Sequence, residues 1–263
     1  MHPKWPVELV LALATWAIYI CDRLLDARAG LCEAALVNLR ERHYFHWRHR
    51  RVFFALASGA MALAAGTCLS LLPATLDQRG VVLAAVSVAY FSGVHVRLDK
   101  RDRTVRFLTR NLSKELLVAV LFAAGCMLPE WPRTHSLATP KIGLWQFWIP
   151  GIYFAAVVWL NCWCIERWES APTAFAKRKP GIKGPQILTS GACRTAILVA
   201  LCGGLLALLA PASEAQSAAL LTAGTATALM LSLLDRLRPR MTPLSLRASA
   251  DLVMLTPMFV IFR

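Results

Sequence analysis

Acidic residues are scarce in this sequence, and long polar stretches are missing from it. Only 15 aspartates and glutamates accompany 29 lysines and arginines among 263 residues. Hydrophobic residues make up 57% of the chain, whereas soluble domains contain about 45 to 50% apolar residues. No connection between the apolar runs is long enough to form a soluble domain. This composition excludes a soluble enzyme or binding module and predicts an integral membrane protein.

Two further motifs are missing. No Cys-x-x-Cys pair occurs, and that is the spacing typical of zinc and redox sites, so we expect the eight cysteines to behave mainly as small apolar residues. No small-residue cleavage site follows the first apolar run, where residues 22–28 read DRLLDAR. We therefore expect that run to be retained as a membrane helix and not removed as a signal peptide.

The apolar residues fall into eight runs, each close to the length that crosses a hydrocarbon core of about 30 Å as a helix. They lie near residues 6–21, 52–73, 80–96, 115–129, 144–165, 192–212, 217–234 and 248–262. This pattern predicts an all-α, polytopic membrane helical bundle with about eight transmembrane helices. We expect residues 1–263 to form a single transmembrane domain with basic loops.

The basic residues alternate steeply between the two sides of the predicted bundle. The loops after the first, third, fifth and seventh runs, with Arg194, hold 24 lysines and arginines, and the other three loops hold three. By the positive-inside rule the basic loops are cytoplasmic and both termini lie outside. The sequence therefore predicts an inner-membrane protein whose charge attracts anionic lipid or a polyphosphate. The charge does not require nucleic acid as a partner. Residues 27–51, which mix cationic and aromatic groups, suit an interfacial helix.

Two acidic clusters are expected at the cytoplasmic ends of two helices. Asp22 and Asp26, in the stretch IYICDRLLDAR, share one helix face with Arg23 between them. Asn161, Glu166 and Glu169 end another apolar run. Oxygen ligands suit Mg²⁺ shared with phosphate, and the basic segment 97–114 suits a diphosphate. An alternative stays open for the first cluster, which could be only a solvated helix cap paired with arginines.

These residues resemble the UbiA superfamily of intramembrane prenyltransferases. The first motif of that family is Asn-Asp-x-x-Asp-Arg-x-x-Asp or close to it, and residues 18–26 read Ile-Tyr-Ile-Cys-Asp-Arg-Leu-Leu-Asp. Residues 159–169, WLNCWCIERWE, stand where the family has its second aspartate motif. Tyr90 and the segment 114–125 are similar to the tyrosine and the basic and glycine-containing region of the family. The resemblance implies a UbiA-like fold lacking the first family helix.

The resemblance also implies a function and roles for single residues. The expected reaction moves an isoprenyl group from its diphosphate to a lipophilic acceptor, with Mg²⁺ as cofactor. Asp22 and Asp26 would bind the metal with support from Arg23, and Glu166 and Glu169 would bind a second ion. The expected substrate contacts are Tyr19, Tyr90, Lys100, Arg101, Lys114 and Asn161.

The departures from the family motifs leave two other functions open. Ile18 and Tyr19 replace the Asn-Asp pair, and glutamates replace the second aspartates. The chain could therefore be a catalytically degenerate relative that binds a lipid, a quinone or a pigment, or a subunit of a larger membrane complex. A transporter of anionic lipid is the third hypothesis, but matched Gly or Pro breaks in two halves are missing.

Overall fold

The computed structural model is helical throughout the part of the chain that it describes, which comprises residues 5–32, 41–72, 74–95, 114–128, 144–170 and 191–256. Its α-helices are α1 (Trp5–Cys32), α2 (Glu41–Arg48), α3 (Arg50–Leu71), α4 (Ala74–His95), α5 (Lys114–Met127), α6 (Ile149–Ser170), α7 (Gly191–Leu209), α8 (Ala215–Leu237) and α9 (Pro243–Val253). A π-helical turn, Leu144–Trp148, precedes α6, and short 3₁₀ turns flank α8. The predicted all-α class is confirmed for these residues.

Four of the described helical segments are long and apolar enough to cross a membrane. They are Arg50–Leu71, Leu144–Trp168, Gly191–Leu209 and Ala212–Arg240, and they match the predicted runs 52–73, 144–165, 192–212 and 217–234. Two shorter apolar helices, Gln78–Ala89 and Glu115–Met127, fall on two more predicted runs. The chain therefore has the helices of an integral membrane protein, and a total of eight spans stays a prediction.

Two helix boundaries differ from the predicted ones. Helix α1 continues 11 residues beyond the predicted end at residue 21, to Cys32, since Leu, Arg and Ala favour helix after the apolar run stops.

The prediction of one continuous helix over residues 248–262 is wrong within the part of that run that the structure describes. Helix α9 begins at Pro243, capped by the side chain of Thr242, and ends at Val253. Pro257 explains the early end, because a proline disfavours helix at the residue before it.

The interfacial helix predicted for residues 27–51 is also divided differently. Residues 27–32 belong to α1, and residues 50 and 51 begin α3. Only the eight residues of α2 form a separate helix between them, and residues 33–40 lie outside the described part. Helix α2 contacts both α1 and α3.

The chain divides into two compact units. The first comprises Met1–Ser113 and Ala124–Arg133, and the second comprises Lys114–Ala123 and Thr134–Arg263. In the first unit, α1 packs along α3, where Ala17 and Ile20 are buried with Ala57 and Ala60. The small alanines on α3 let the two backbones approach closely, which is how helices gain van der Waals contact in lipid.

The second unit is built around α7 and α8, which form its most extensive helix pair. The buried residues of α7 are all small, namely Ala192, Cys193, Ala196, Ala200 and Gly203. The Cys193 Sγ lies 3.1 Å from the Ser232 Oγ of α8, and both side chains are buried. Small side chains at the interface, with a few polar contacts, are typical of membrane helix pairs.

Tyr153 of α6 contacts both α7 and α8. Its ring is 5% exposed, and its hydroxyl group donates to the Val199 carbonyl at 3.2 Å and lies 3.4 Å from Thr225 Oγ1. Gly203 and Gly224 leave the space that the ring occupies. The three helices therefore meet at one phenol ring.

Candidate functional site

Asp22 and Asp26 lie within an unbroken helix. Helix α1 runs on for six residues after Asp26, so this pair does not cap a helix end, and the alternative of carboxylates paired with arginines stays open. A carboxylate in the last turn would also be unfavourable next to the partial negative charge of a helix C-terminus. The Asp22 side chain is half-buried, whereas the side chain of Asp26 lies outside the described part. The backbone places the two positions one turn apart, as predicted.

Arg23 and Tyr19 form a contact on the same helix. The guanidinium carbon of Arg23 lies 5.0 Å from the centre of the Tyr19 ring, a cation–π geometry. Tyr19 is 40% exposed and Arg23 is half-buried. The phenol of Tyr19 therefore contacts the cation beside Asp22, and it offers no carboxylate oxygen to a metal.

Asn161 is buried on α6 with an unsatisfied oxygen. Its side chain is 8% exposed, and its Oδ1 has no hydrogen-bond partner in the described structure. An unsatisfied buried polar atom costs about 1 to 3 kcal/mol, so native structures rarely keep one without a reason. The amide oxygen therefore needs a donor or a cation that the protein does not itself supply among these residues.

Glu166 lies on a different side of α6 from Asn161. Five residues of α-helix turn through about 500°, which leaves the two positions about 140° apart. Glu166 is exposed and Asn161 is buried, which agrees with this separation. Glu169 lies eight residues after Asn161 and so nearly on its side of the helix, but its side chain is outside the described part. The helix does not bring Glu166 and Asn161 to one point.

The remaining predicted contacts fall wholly or partly outside the described residues. Lys100 and Arg101 belong to residues 96–113, which the structure does not describe. Tyr90 and Lys114 lie on α4 and α5, and the description does not extend to their side chains. These four assignments stay predictions.

The side chains that the structure describes do not form a complete metal site by themselves. Within those residues there is no group of three or more His, Cys, Asp or Glu residues that could hold a metal ion. Asp22 belongs to the first compact unit and Glu166 to the second. The convergence of the two acidic clusters, and with it the Mg²⁺ site, stays a prediction.

Asp235 has a structural role that the sequence did not reveal. Its side chain is 8% exposed and accepts a hydrogen bond of 2.8 Å from Trp168 Nε1. Arg238 donates to the Trp168 carbonyl at 3.3 Å. These bonds join the ends of α6 and α8. Trp168 and Asp235 are 67 positions apart in the sequence, which explains why no local pattern predicts the pair.

The sequence and the structure were also compared with known proteins. No family model, no curated protein and no solved structure matches this chain.

Proposed function

We propose that this chain is a UbiA-like integral membrane prenyltransferase of the inner membrane, with its active site facing the cytoplasm and both termini on the other side. The observation that carries the proposal is the position of Asp22, half-buried within a continuous helix and one turn from Asp26. Ionisable residues at membrane depth are costly and usually face a bundle interior or a water-filled cavity. We propose that Mg²⁺ is one of the cations that balance this pair.

The donor set fits Mg²⁺. Asp22 and Asp26 offer hard carboxylate oxygens of the type that this ion accepts. When bound, Mg²⁺ would stabilise the negative charge that develops on the diphosphate as it departs. Glu166 and Glu169 would hold a second ion in this proposal. The metal assignment rests on the chemistry of these oxygens and on their spacing in the sequence.

In the proposed reaction the bond between the first isoprenyl carbon and the diphosphate oxygen breaks. Pyrophosphate leaves with the electron pair of that bond, and the acceptor forms a new bond to the isoprenyl carbon and loses a proton. Lys100, Arg101 and Lys114 would contact the leaving group, because cations stabilise charge that develops during the reaction. Tyr19, Tyr90 and Asn161 would line the substrate site. A dry helical interior would keep water from the reactive carbon.

A metal-removal assay tests the proposed activity. Membranes containing the wild-type chain are given a radiolabelled isoprenyl diphosphate and a set of lipophilic aromatic acceptors. We expect transfer of label into the organic phase with Mg²⁺, loss of transfer with a chelator, and recovery when Mg²⁺ is added back. Membranes without the chain are the control. Transfer that persists in the chelator would contradict the role of the metal.

The alternative function is a catalytically degenerate UbiA-like protein that binds a lipid, a quinone or a pigment, or that serves as a subunit of a membrane complex. The contact between the Tyr19 ring and Arg23 favours it, because a phenol occupies a position where the family carries an acid. This alternative predicts that the purified chain carries an intact apolar ligand or a stoichiometric partner. It also predicts that no isoprenyl diphosphate binds.

Replacing Asn161 separates a ligand role from a packing role. Asn161→Leu removes the unsatisfied oxygen and keeps the branched shape of the side chain, so we expect the free energy of unfolding to rise by about 1 kcal/mol while transfer activity falls. Thermal unfolding in detergent and the transfer assay measure the two effects. Thr227→Val on α8 is the matched control, because that hydroxyl is buried and already bonded to the Ala223 carbonyl. A loss of stability in Asn161→Leu would show that the oxygen is satisfied in the folded protein.

A further inference from the structure

Three arginines meet in an apolar groove formed by α1, α2 and α3 of the first unit. The groove has a volume of about 370 Å³ and is lined by Arg28, Arg50 and Arg51 together with Leu25, Trp47 and Phe54. Ligand clefts have volumes of about 300 to 1,000 Å³. The groove is therefore large enough to hold part of a small amphiphilic molecule.

The described residues contribute no carboxylate to the lining of the groove. Within the described residues no carboxylate pairs with Arg28, Arg50 or Arg51, and Arg28 and Arg51 are exposed. The Arg50 guanidinium lies 4.7 Å from the centre of the Trp47 ring and donates to the Trp47 carbonyl at 3.2 Å. Like charges that line one groove repel each other, and an anion bound among them would relieve this repulsion. Guanidinium groups suit phosphate in particular, because they can donate two parallel hydrogen bonds.

The groove lies at one end of a membrane-crossing helix. Helix α3 has 22 residues, and at 1.5 Å per residue it spans about 33 Å, slightly more than a hydrocarbon core of about 30 Å. Its first residues, Arg50 and Arg51, therefore lie near the level of the lipid headgroups. Tryptophan and arginine are typical of that level.

The apolar wall of the groove continues along the outside of α3. Phe54, at the groove, is 66% exposed, and Met61, seven residues further on and on the same side of the helix, is 47% exposed. A molecule with its phosphate among the arginines would therefore meet apolar side chains along its hydrocarbon part. A phospholipid in the same leaflet has this arrangement of groups.

We propose that this groove binds an anionic phospholipid, with the phosphate against Arg28, Arg50 and Arg51 and an acyl chain against Leu25 and Phe54. The site is separate from the proposed reaction and does not depend on it. The positive charge of the three arginines selects an anionic lipid over a zwitterionic one, since the choline group of phosphatidylcholine would add a further cation to the groove.

Native mass spectrometry of the full-length protein tests this binding. The chain is purified in mild detergent with equal amounts of phosphatidylglycerol and phosphatidylcholine. We expect wild-type protein to retain phosphatidylglycerol preferentially. The triple variant R28Q/R50Q/R51Q should lose that preference at least twentyfold, because each arginine near the surface contributes about a fivefold factor.

A charge-matched triple variant is the control. R48Q/R236Q/R240Q removes the same charge from exposed positions that do not line the groove, and we expect it to retain the wild-type preference. Equal losses in both triple variants, or no loss in R28Q/R50Q/R51Q, would overturn the site. Displacement of the lipid by a stoichiometric amount of farnesyl diphosphate would overturn the choice of occupant. If the groove triple fails to fold, R51Q against R48Q repeats the comparison with an expected fivefold difference.

Discussion

Asp22→Asn is expected to reduce Mg²⁺-dependent isoprenyl transfer by about a hundredfold or more. The substitution keeps the volume and one acceptor oxygen of the half-buried side chain but removes the negative charge that attracts the metal. Loss of one group that stabilises developing charge costs about 10² to 10³ in rate. Initial rates in membranes, at several Mg²⁺ concentrations, measure the effect. Partial recovery at high Mg²⁺ would show that the charge acts through the metal.

Glu8→Gln is the matched control for this variant. Glu8 lies on the same helix, is exposed and has no part in the proposed site, so its neutralisation should leave the rate unchanged. Both variants must keep the wild-type thermal unfolding temperature for the comparison to report on chemistry. A wild-type rate in Asp22→Asn would remove Asp22 from the mechanism and would favour the degenerate alternative.

Gly203→Ala is expected to destabilise the second unit by about 3 kcal/mol, the upper end of the usual cost of overpacking a core. A methyl group at this position would overlap the hydroxyl oxygen and ring carbon of Tyr153 and would lie 2.6 Å from Thr225 Oγ1. The ring cannot move aside easily, because it is buried and bonded to Val199. Thermal unfolding in detergent, followed with a thiol-reactive dye that labels Cys164 and Cys193 as they become exposed, measures the loss.

The neighbouring glycine supplies the control for this prediction. A methyl group on Gly204 would meet only Thr225 Cγ2, at 3.9 Å, which is an ordinary contact. Gly204→Ala should therefore be neutral or slightly stabilising, since alanine favours helix over glycine by about 1 kcal/mol. The double variant G203A/Y153A should be less destabilised than the sum of its two single variants. Equal stabilities of the two glycine variants would contradict the described packing of Tyr153.

Hydropathy was a good guide to where the helices lie and a poor guide to where they end. The runs at 52–73 and 192–212 predict α3 and α7 within a few residues, because apolar length and helix length agree there. Helix α1 extends beyond its apolar run, because the residues that follow the run have high helix propensity. The spacing of Asp22 and Asp26 was predictable because it depends only on the local helix.

The contacts between helices could not be predicted in the same way. Tyr153 contacts Thr225, which is 72 positions away in the sequence, and Trp168 bonds to Asp235, which is 67 positions away. No periodic pattern reports which faces of two distant helices come together. The same limitation applies to the arginine groove, where Arg28 is 22 positions away from Arg50 in the sequence. The unsatisfied oxygen of Asn161 is likewise a property of its surroundings and not of its residue type.

The small-residue face of α7 restricts where a long substrate could lie. Ala196, Ala200 and Gly203 are 3% exposed or less or lie against the Tyr153 ring, and the side chains of Cys193 and Ser232 touch across the seam between α7 and α8. Two backbones that approach this closely leave no width for a polyprenyl tail between them. In the second unit such a tail would have to lie along another helix pair. A longer tail should therefore not weaken the packing of α7 against α8.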